Sequence, residues 1–278
     1  MMHFGKVIGS GHCANVYEYR KNYVLKLFHK HIDPKVAQYE FDASHEINKL
    51  GIRTPAVYDL VKVGSQQGII FQKIRGLTLI EDVSKSPFKL ITHVKCSAQL
   101  FESVHQLSTM GLASFKEQLA DRINQTILLT PSEKKMIINY LSTLEDGNDL
   151  CHGDFHFGNI MIAENNLHII DWGGVARGPK IADLTLAIIQ FQVSSIANNI
   201  PLYLKIVIIL FRKLIIHTFI EAYCKENPHL TTKELKREIQ RWRLPVASSR
   251  LISCNYIERK SLLKIISIEI KKQKNKQA

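Results

Sequence analysis

An aspartate and an asparagine five residues apart, Asp154 and Asn159, lie in the run Cys151-His152-Gly153-Asp154-Phe155-His156-Phe157-Gly158-Asn159. A second aspartate follows in Ile170-Asp171-Trp172-Gly173, twelve residues past the asparagine. Between them, Ile160-Met161-Ile162 and His168-Ile169-Ile170 read as short apolar strands joined by a Glu164-Asn165-Asn166 turn. The pattern brings three oxygen-bearing side chains to the end of a hairpin. Oxygen donors are what Mg2+ takes, commonly one or two carboxylates completed by phosphate and water. A carboxylate beside a metal-bound phosphate can also accept the proton of an attacking hydroxyl. Polar loops that merely cap strand ends are the plainer alternative. The register of strands, glycines and both aspartates favours the chemical reading.

Two further features suit a phosphate. Gly9, Ser10 and Gly11 sit between β-rich runs in Ile8-Gly9-Ser10-Gly11-His12-Cys13-Ala14-Asn15-Val16-Tyr17. Glycines there let backbone N–H groups approach phosphate oxygens, although Gly-Ser-Gly alone is also an ordinary turn. In Tyr23-Val24-Leu25-Lys26-Leu27-Phe28, alternation puts Val24, Lys26 and Phe28 on one face and Leu25 and Leu27 on the other. Both faces are apolar, which turns Lys26 inward. A buried ammonium is costly unless paired. Glu40 or Glu46 on the following helix, and a nucleotide phosphate, would each serve. A lysine snorkelling at a sheet edge is the alternative.

The elements that must position these groups change character along the chain. Residues 1–75 read as strands with one helix over Lys35–Leu50, a break at Gly51-Ile52-Arg53-Thr54-Pro55, and a hairpin around Gly64-Ser65-Gln66-Gln67. After Gly76, apolar residues recur at helical spacing: Leu90, Val94, Ala98, Phe101, Val104 and Leu107, then Phe115, Leu119, Ile123 and Ile127. Thr130-Pro131-Ser132-Glu133 is a helix start with a capping glutamate. Helices dominate again after residue 171, and the polar tail from Lys271 is expected to fray. The order predicts an α+β protein. A small β-rich lobe, 1–75, would be followed by a larger helical lobe, 76–278, with a cleft between them.

Composition narrows the class. The chain has 278 residues, 45% apolar and 22% charged, which is ordinary for a globular protein. Its net charge of +12 is uneven: residues 1–199 carry 20 basic and 19 acidic side chains, residues 200–278 carry 17 and 6. A solvated basic face is preferred over a nucleic-acid or lipid surface, so no nucleic-acid partner is expected. Five cysteines without a Cys-x-x-Cys pair argue against a disulfide framework or zinc cluster and fit a reducing compartment. Residues 1–11 have no signal-peptide pattern. The apolar stretch from Ile200 to Ile216 is broken by Lys205, Arg212 and Lys213, so no membrane span is expected. A cytoplasmic protein is the expectation.

Glycine loop, inward lysine, helix glutamate, Asp-x4-Asn and Asp-Trp-Gly occur in the order of the protein-kinase-like fold. The chain resembles the aminoglycoside phosphotransferase and choline kinase family, whose catalytic loop reads His-Gly-Asp-x-His-x-x-Asn as here. The resemblance runs from about residue 4 to 265 and is most specific over 151–184. It implies a bilobal fold and transfer of the γ-phosphoryl group of ATP or GTP, with Mg2+, to a hydroxyl of a small metabolite or antibiotic. It implies Asp154 as catalytic base and Asn159 and Asp171 as metal ligands. Lys26 would bind the α- and β-phosphates and pair with Glu40, preferred over Glu46 because it lies a helix turn further from the Gly51 break. Gly9, Ser10 and Gly11 would cover the phosphates, and Phe71-Gln72-Lys73-Ile74 would be the hinge, with Gln72 and Ile74 near the base. His152 and Asp183 would support the catalytic loop.

Three departures stand out: Phe157 where proline is frequent, Gly178-Pro179 in place of Gly-Asp-Pro, and Ala14 at the last loop glycine. None removes an essential group. The basic C-terminal region counts against a polycationic acceptor and favours a neutral or anionic one. A protein kinase or an inactive nucleotide-binding regulator are the alternatives. The loop sequence, the short Asp171–Asp183 interval and the intact Lys26, Asp154, Asn159 and Asp171 argue against them.

Overall fold

Short alternating runs at the N-terminus fold into an antiparallel sheet in the computed structural model, which describes residues 3–193 and 202–277. β1 (Val7–Ser10), β2 (Ala14–Tyr19) and β3 (Tyr23–Phe28) are sequential hairpin partners. α1 (Pro34–Lys49) then leads to β4 (Val57–Val63) and β5 (Gln66–Gln72), giving the strand order β1-β2-β3-β5-β4. The Asp33 carboxylate accepts from the Lys35 amide and Pro34 opens α1, a capped start worth about 1 kcal/mol. Gly51, at φ +73°, supplies the left-handed residue just past its end. The buried stripe of α1 is Ala37, Glu40, Ala43, Ser44 and Ile47. Ala37 packs with Ala14, Phe28, Val57 and Ile69 in one core cluster. Glu40 therefore sits on the helix face that packs inward. The short β6 (Leu77–Thr78) follows.

The chain then turns helical: α2 (Leu79–Lys85), α3 (Leu90–His105), α4 (Phe115–Gln125) and α5 (Pro131–Ser142). Their buried faces are the expected ones, with two corrections. Leu107 lies past the end of α3 and is half-buried. Ile127 does not continue the α4 stripe: Thr126 ends the helix in an extended conformation, and Ile127 is 94% exposed. Thr130 and Glu133 form a reciprocal capping box at the start of α5. β7 (Asp149–Cys151) leads into the Asp154 loop. β8 (Ile160–Ala163) and β9 (Asn166–Ile169) form a hairpin, and β8 also pairs with β6. Glu164 and Asn165 both have positive φ, as a two-residue hairpin turn requires.

β10 (Ala176–Gly178) pairs with β7, and α6 (Lys180–Val193), α7 (Leu202–Lys225), α8 (Thr232–Ser249) and α9 (Tyr256–Gln277) complete the chain. The tail expected to fray from Lys271 is instead the last part of α9. Buried Leu262, Ile265, Ile266 and Ile270 anchor that helix, and extending a formed helix is cheap. The start of the Ile200–Ile216 stretch lies outside the described residues. Among the described residues no helix is long and apolar enough to cross a membrane.

The backbone packs as two units, Met1–Leu79 with Gly158–Val175, and Ile80–Phe157 with Ala176–Ala278. The first is β-rich and the second helical, an α+β arrangement. The second has its own large core, including Phe115, Leu119, Ile137, Leu186, Trp242, Val246 and Leu262.

Candidate active site

In the first unit, β3 carries Lys26 into a cluster of carboxylates. Its Nζ lies 2.6 and 2.9 Å from the two Glu40 oxygens and 2.7 Å from Asp171 Oδ1. Of the two glutamates left open by the sequence, Glu40 is the partner. Glu46 forms a surface pair with Lys49 at 2.6 Å. The Lys26 side chain is 14% exposed. Burial opposes its charge, but Glu40 and Asp171 outweigh that and hold the ammonium above its ordinary pKa. Burial pushes Glu40 up, Lys26 pulls it back, and Asp171 pushes it up further.

Asp171 reaches this cluster through an uncommon backbone. It follows β9 at φ 65°, ψ 69°, a left-handed conformation that costs roughly 1–2 kcal/mol for most residues and less for aspartate. The next residues hold it there. Trp172 is buried and donates from Nε1 to Thr54 Oγ1 at 2.9 Å, and the Tyr39 hydroxyl donates to the Val175 carbonyl at 2.5 Å. A Cβ at Gly173 would meet Glu40 Oε2 at 2.9 Å, so the carboxylate that holds Lys26 would have to shift. Hairpin register sets Asn159 beside this segment. Ile160 pairs with Ile169, and the Ile170 amide donates to the Asn159 carbonyl at 2.9 Å. Asn159 itself is buried. An amide oxygen and a carboxylate are donors of the kind Mg2+ accepts. Among the described residues no cluster of three His, Cys, Asp or Glu suits a metal.

The other sequence-predicted residues of this unit lie elsewhere on the sheet. Gly9 and Ser10 are in β1, opposite Val16 and Asn15, and the Ser10 hydroxyl donates to Asn15 Oδ1 at 2.7 Å. The Gly11 amide donates to the Ala14 carbonyl at 2.9 Å, closing a tight turn. Gln72 ends β5. Its amide donates to the Ala56 carbonyl, and its side-chain Oε1 accepts from the Ala56 amide at 3.2 Å. Ile74 follows, half-buried.

In the second unit, the loop bearing Asp154 is tied from below. Asp183, fully buried at the start of α6, accepts from the backbone amides of His152 at 2.6 Å and Gly153 at 3.0 Å. Gly153 has φ +77°, a conformation that favours glycine. Asp183 also lies 3.2 Å from His105 Nε2, whose Nδ1 lies 2.7 Å from the Tyr223 hydroxyl. A carboxylate only accepts, so Nε2 carries the proton and the tyrosine donates to Nδ1. The Asp154 amide donates to His152 Nδ1 at 3.2 Å.

The Asp154 side chain is 38% exposed. Gln190 donates to its Oδ1, His156 Nε2 lies 3.6 Å from Oδ2, and Arg250 Nη1 lies 3.9 Å from Oδ1. Burial disfavours the charge, but the neighbouring His156 and the Arg250 guanidinium outweigh it. The carboxyl is held well below the usual carboxylate range. His105, Gln190 and Tyr223 carry no signal in the sequence. They lie far from the motif along the chain, and only helix packing brings them to it.

The model of a phosphotransferase enzyme family matches residues 5–200. None of the curated proteins matches the chain. Among solved structures, a thermostable aminoglycoside phosphotransferase APH(4)-Ia in ternary complex with AMP-PNP and hygromycin B is similar at TM-score 0.64 and 10% identity. That match covers 96% of this chain and 92% of the other. An aminoglycoside-3'-phosphotransferase of type VIII is similar at TM-score 0.60 and 14% identity, covering 89% and 93%. The streptomycin–ATP complex of APH(2")-IIa follows at 0.56 and 16%, covering 97% and 91%. The fold expected from the sequence is the fold of these structures.

Proposed function

The chain belongs to the phosphotransferase enzyme family, and on that premise we propose that it transfers the γ-phosphoryl group of ATP or GTP to a hydroxyl of a small molecule. The observation that carries this reading is the Lys26 ammonium, kept charged by Glu40 and Asp171 on a buried sheet face. A fixed cation so placed suits the oxygens of a polyphosphate. The similar structures that hold AMP-PNP with hygromycin B, or ATP with streptomycin, support a nucleoside triphosphate and a small hydroxyl acceptor.

Lys26 holds the α- and β-phosphates, and Glu40 keeps the ammonium from folding away. Gly9, Ser10 and Gly11 lie over the phosphates, and the segment through Gln72 and Ile74 meets the base. Asn159 and Asp171 would hold Mg2+, which when bound would neutralise phosphate charge. Asp154 is ionised at neutral pH and orients the acceptor hydroxyl. The acceptor oxygen bonds to the γ-phosphorus as the bond from that phosphorus to the bridging oxygen breaks. The hydroxyl proton passes to Asp154 and the nucleoside diphosphate leaves. A carboxylate of low pKa is a weak base, so the proton moves late, after the oxygen has become more acidic.

The test is transfer of labelled γ-phosphate to a panel of hydroxyl compounds, with water as the default acceptor. Asp154→Ala is expected to lower turnover about 10²–10⁴-fold while nucleotide binding persists. Wild-type-like turnover in that variant would refute the assignment.

A further inference from the structure

This inference rests on the phosphotransfer reading above and concerns what the acceptor is. Beside Asp154, two buried polar atoms find no hydrogen-bond partner among the described residues: Oε1 of Gln190 and Nε of Arg250. Gln190, in α6, is 2% exposed and gives its Nε2 to Asp154 Oδ1. Chemistry dictates which way that amide lies. An ionised carboxylate only accepts, so the NH2 group faces Asp154 and Oε1 faces elsewhere. Arg250 lies in the turn that ends α8, with its side chain 16% exposed. Its Nη1 stands 3.9 Å from Asp154 Oδ1, inside ion-pair range but beyond a hydrogen bond. Leaving such atoms unpaired is costly, and interiors that do so commonly serve a function.

The two atoms ask for opposite things. Gln190 Oε1 can only accept, so its complement is an O–H or N–H. Arg250 can only donate and is permanently charged, so its complement is an anion. Both flank the carboxylate that would orient the reacting hydroxyl. Residues 200–278 carry 17 basic against 6 acidic side chains. Such surroundings disfavour a polycation. We propose that the acceptor is a small polyhydroxyl compound bearing an anionic group, with its reacting hydroxyl presented to Asp154, a second O–H donated to Gln190 Oε1, and its carboxylate or phosphate facing Arg250.

The experiment uses the full chain with ATP or GTP and Mg2+, and compares labelled phosphate transfer to gluconate, glucose 6-phosphate, glucose and kanamycin. At least one anionic probe is expected to exceed glucose tenfold in kcat/KM, with kanamycin below glucose. Gluconate against glucose 6-phosphate tells carboxylate from phosphate. In Arg250→Ala the ratio of kcat/KM for the anionic probe over glucose should fall at least tenfold, through KM, and Arg250→Lys should restore part of it. A merely structural arginine would lower all acceptors together and leave the ratio alone. Preference for kanamycin, no response to either anionic probe, or an unchanged ratio in Arg250→Ala overturns the proposal. Nucleotide hydrolysis by water keeps the two readings apart. Hydrolysis without anionic preference refutes the acceptor assignment alone, whereas neither hydrolysis nor transfer refutes both.

Discussion

Lys26 is met by three carboxylate oxygens within 2.9 Å, while the groups around Asp154 include a guanidinium held off at 3.9 Å and a glutamine with an unpaired oxygen. The first cluster is nearly complete without a ligand. Its cation and carboxylates hold one another, so its geometry exists before a nucleotide arrives. Around Asp154 the charge is stabilised, yet donors and acceptors are left over. That difference matches two tasks. Every nucleotide presents the same polyphosphate, and a prebuilt site suits it. The acceptor varies between enzymes of one fold, and leftover hydrogen-bonding capacity is where that choice is written.

The contrast can be broken by substitution. Lys26→Met should have the largest effect. It leaves Glu40 and Asp171 facing each other without a counterion, a loss of about 3–5 kcal/mol by the behaviour of broken buried pairs. Urea unfolding followed by Trp172 fluorescence in a Trp242→Phe background would read it, and Lys26→Met combined with Glu40→Gln should recover part of the loss. Gly173→Ala comes next. Its Cβ would crowd Glu40, so a cost of about 1–3 kcal/mol is expected, with lower activity because Asp171 shifts with it.

A pH profile sharpens the other half. The Asp154 carboxyl is depressed on folding, so its contribution to stability is present above the ordinary carboxylate range and is lost as pH falls through the lowered value. Asp154 itself should therefore impose no acid limb on kcat/KM between pH 8 and about 5. His156→Gln removes the neighbour that lowers it most, so the fall in kcat/KM at acid pH should begin at higher pH. An unmoved limb would mean that His156 does not set the Asp154 charge. Arg250→Met should change least. It removes an unpaired Nε together with one loose ion pair at 3.9 Å to a part-exposed carboxylate, so stability should fall by less than about 1 kcal/mol. A loss as large as that of Lys26→Met would erase the distinction between the clusters.

Much of this was legible in the sequence because the informative signals are local. Alternation in Tyr23–Phe28 placed Lys26, hairpin spacing placed Asn159 and Asp171 at one end of β8 and β9, and Thr130-Pro131-Ser132-Glu133 marked a helix start that the capping box confirms. The signals failed where a contact elsewhere decided the outcome. Ile127 kept the helical spacing, yet Thr126 had already ended α4. The tail from Lys271 looked too polar to be ordered, but buried residues upstream carry the helix through it. The return of residues 158–175 to the N-terminal unit left no local mark either, because β6, which pairs with β8, is two residues long.

The sequence by itself determined which groups are available for phosphoryl chemistry and the order in which strand, helix and loop present them. These depend on periodicity, capping and turn residues, which act over a few positions of chain. Tertiary packing alone decided that Glu40 and not Glu46 meets Lys26, that Asp171 completes the pair, and that Gln190 and Arg250 stand beside Asp154. Those contacts join residues 14 to 145 positions apart. Charge and hydrogen bonding act through distances of a few ångströms in space, and no pattern along the chain encodes which distant residues will share them.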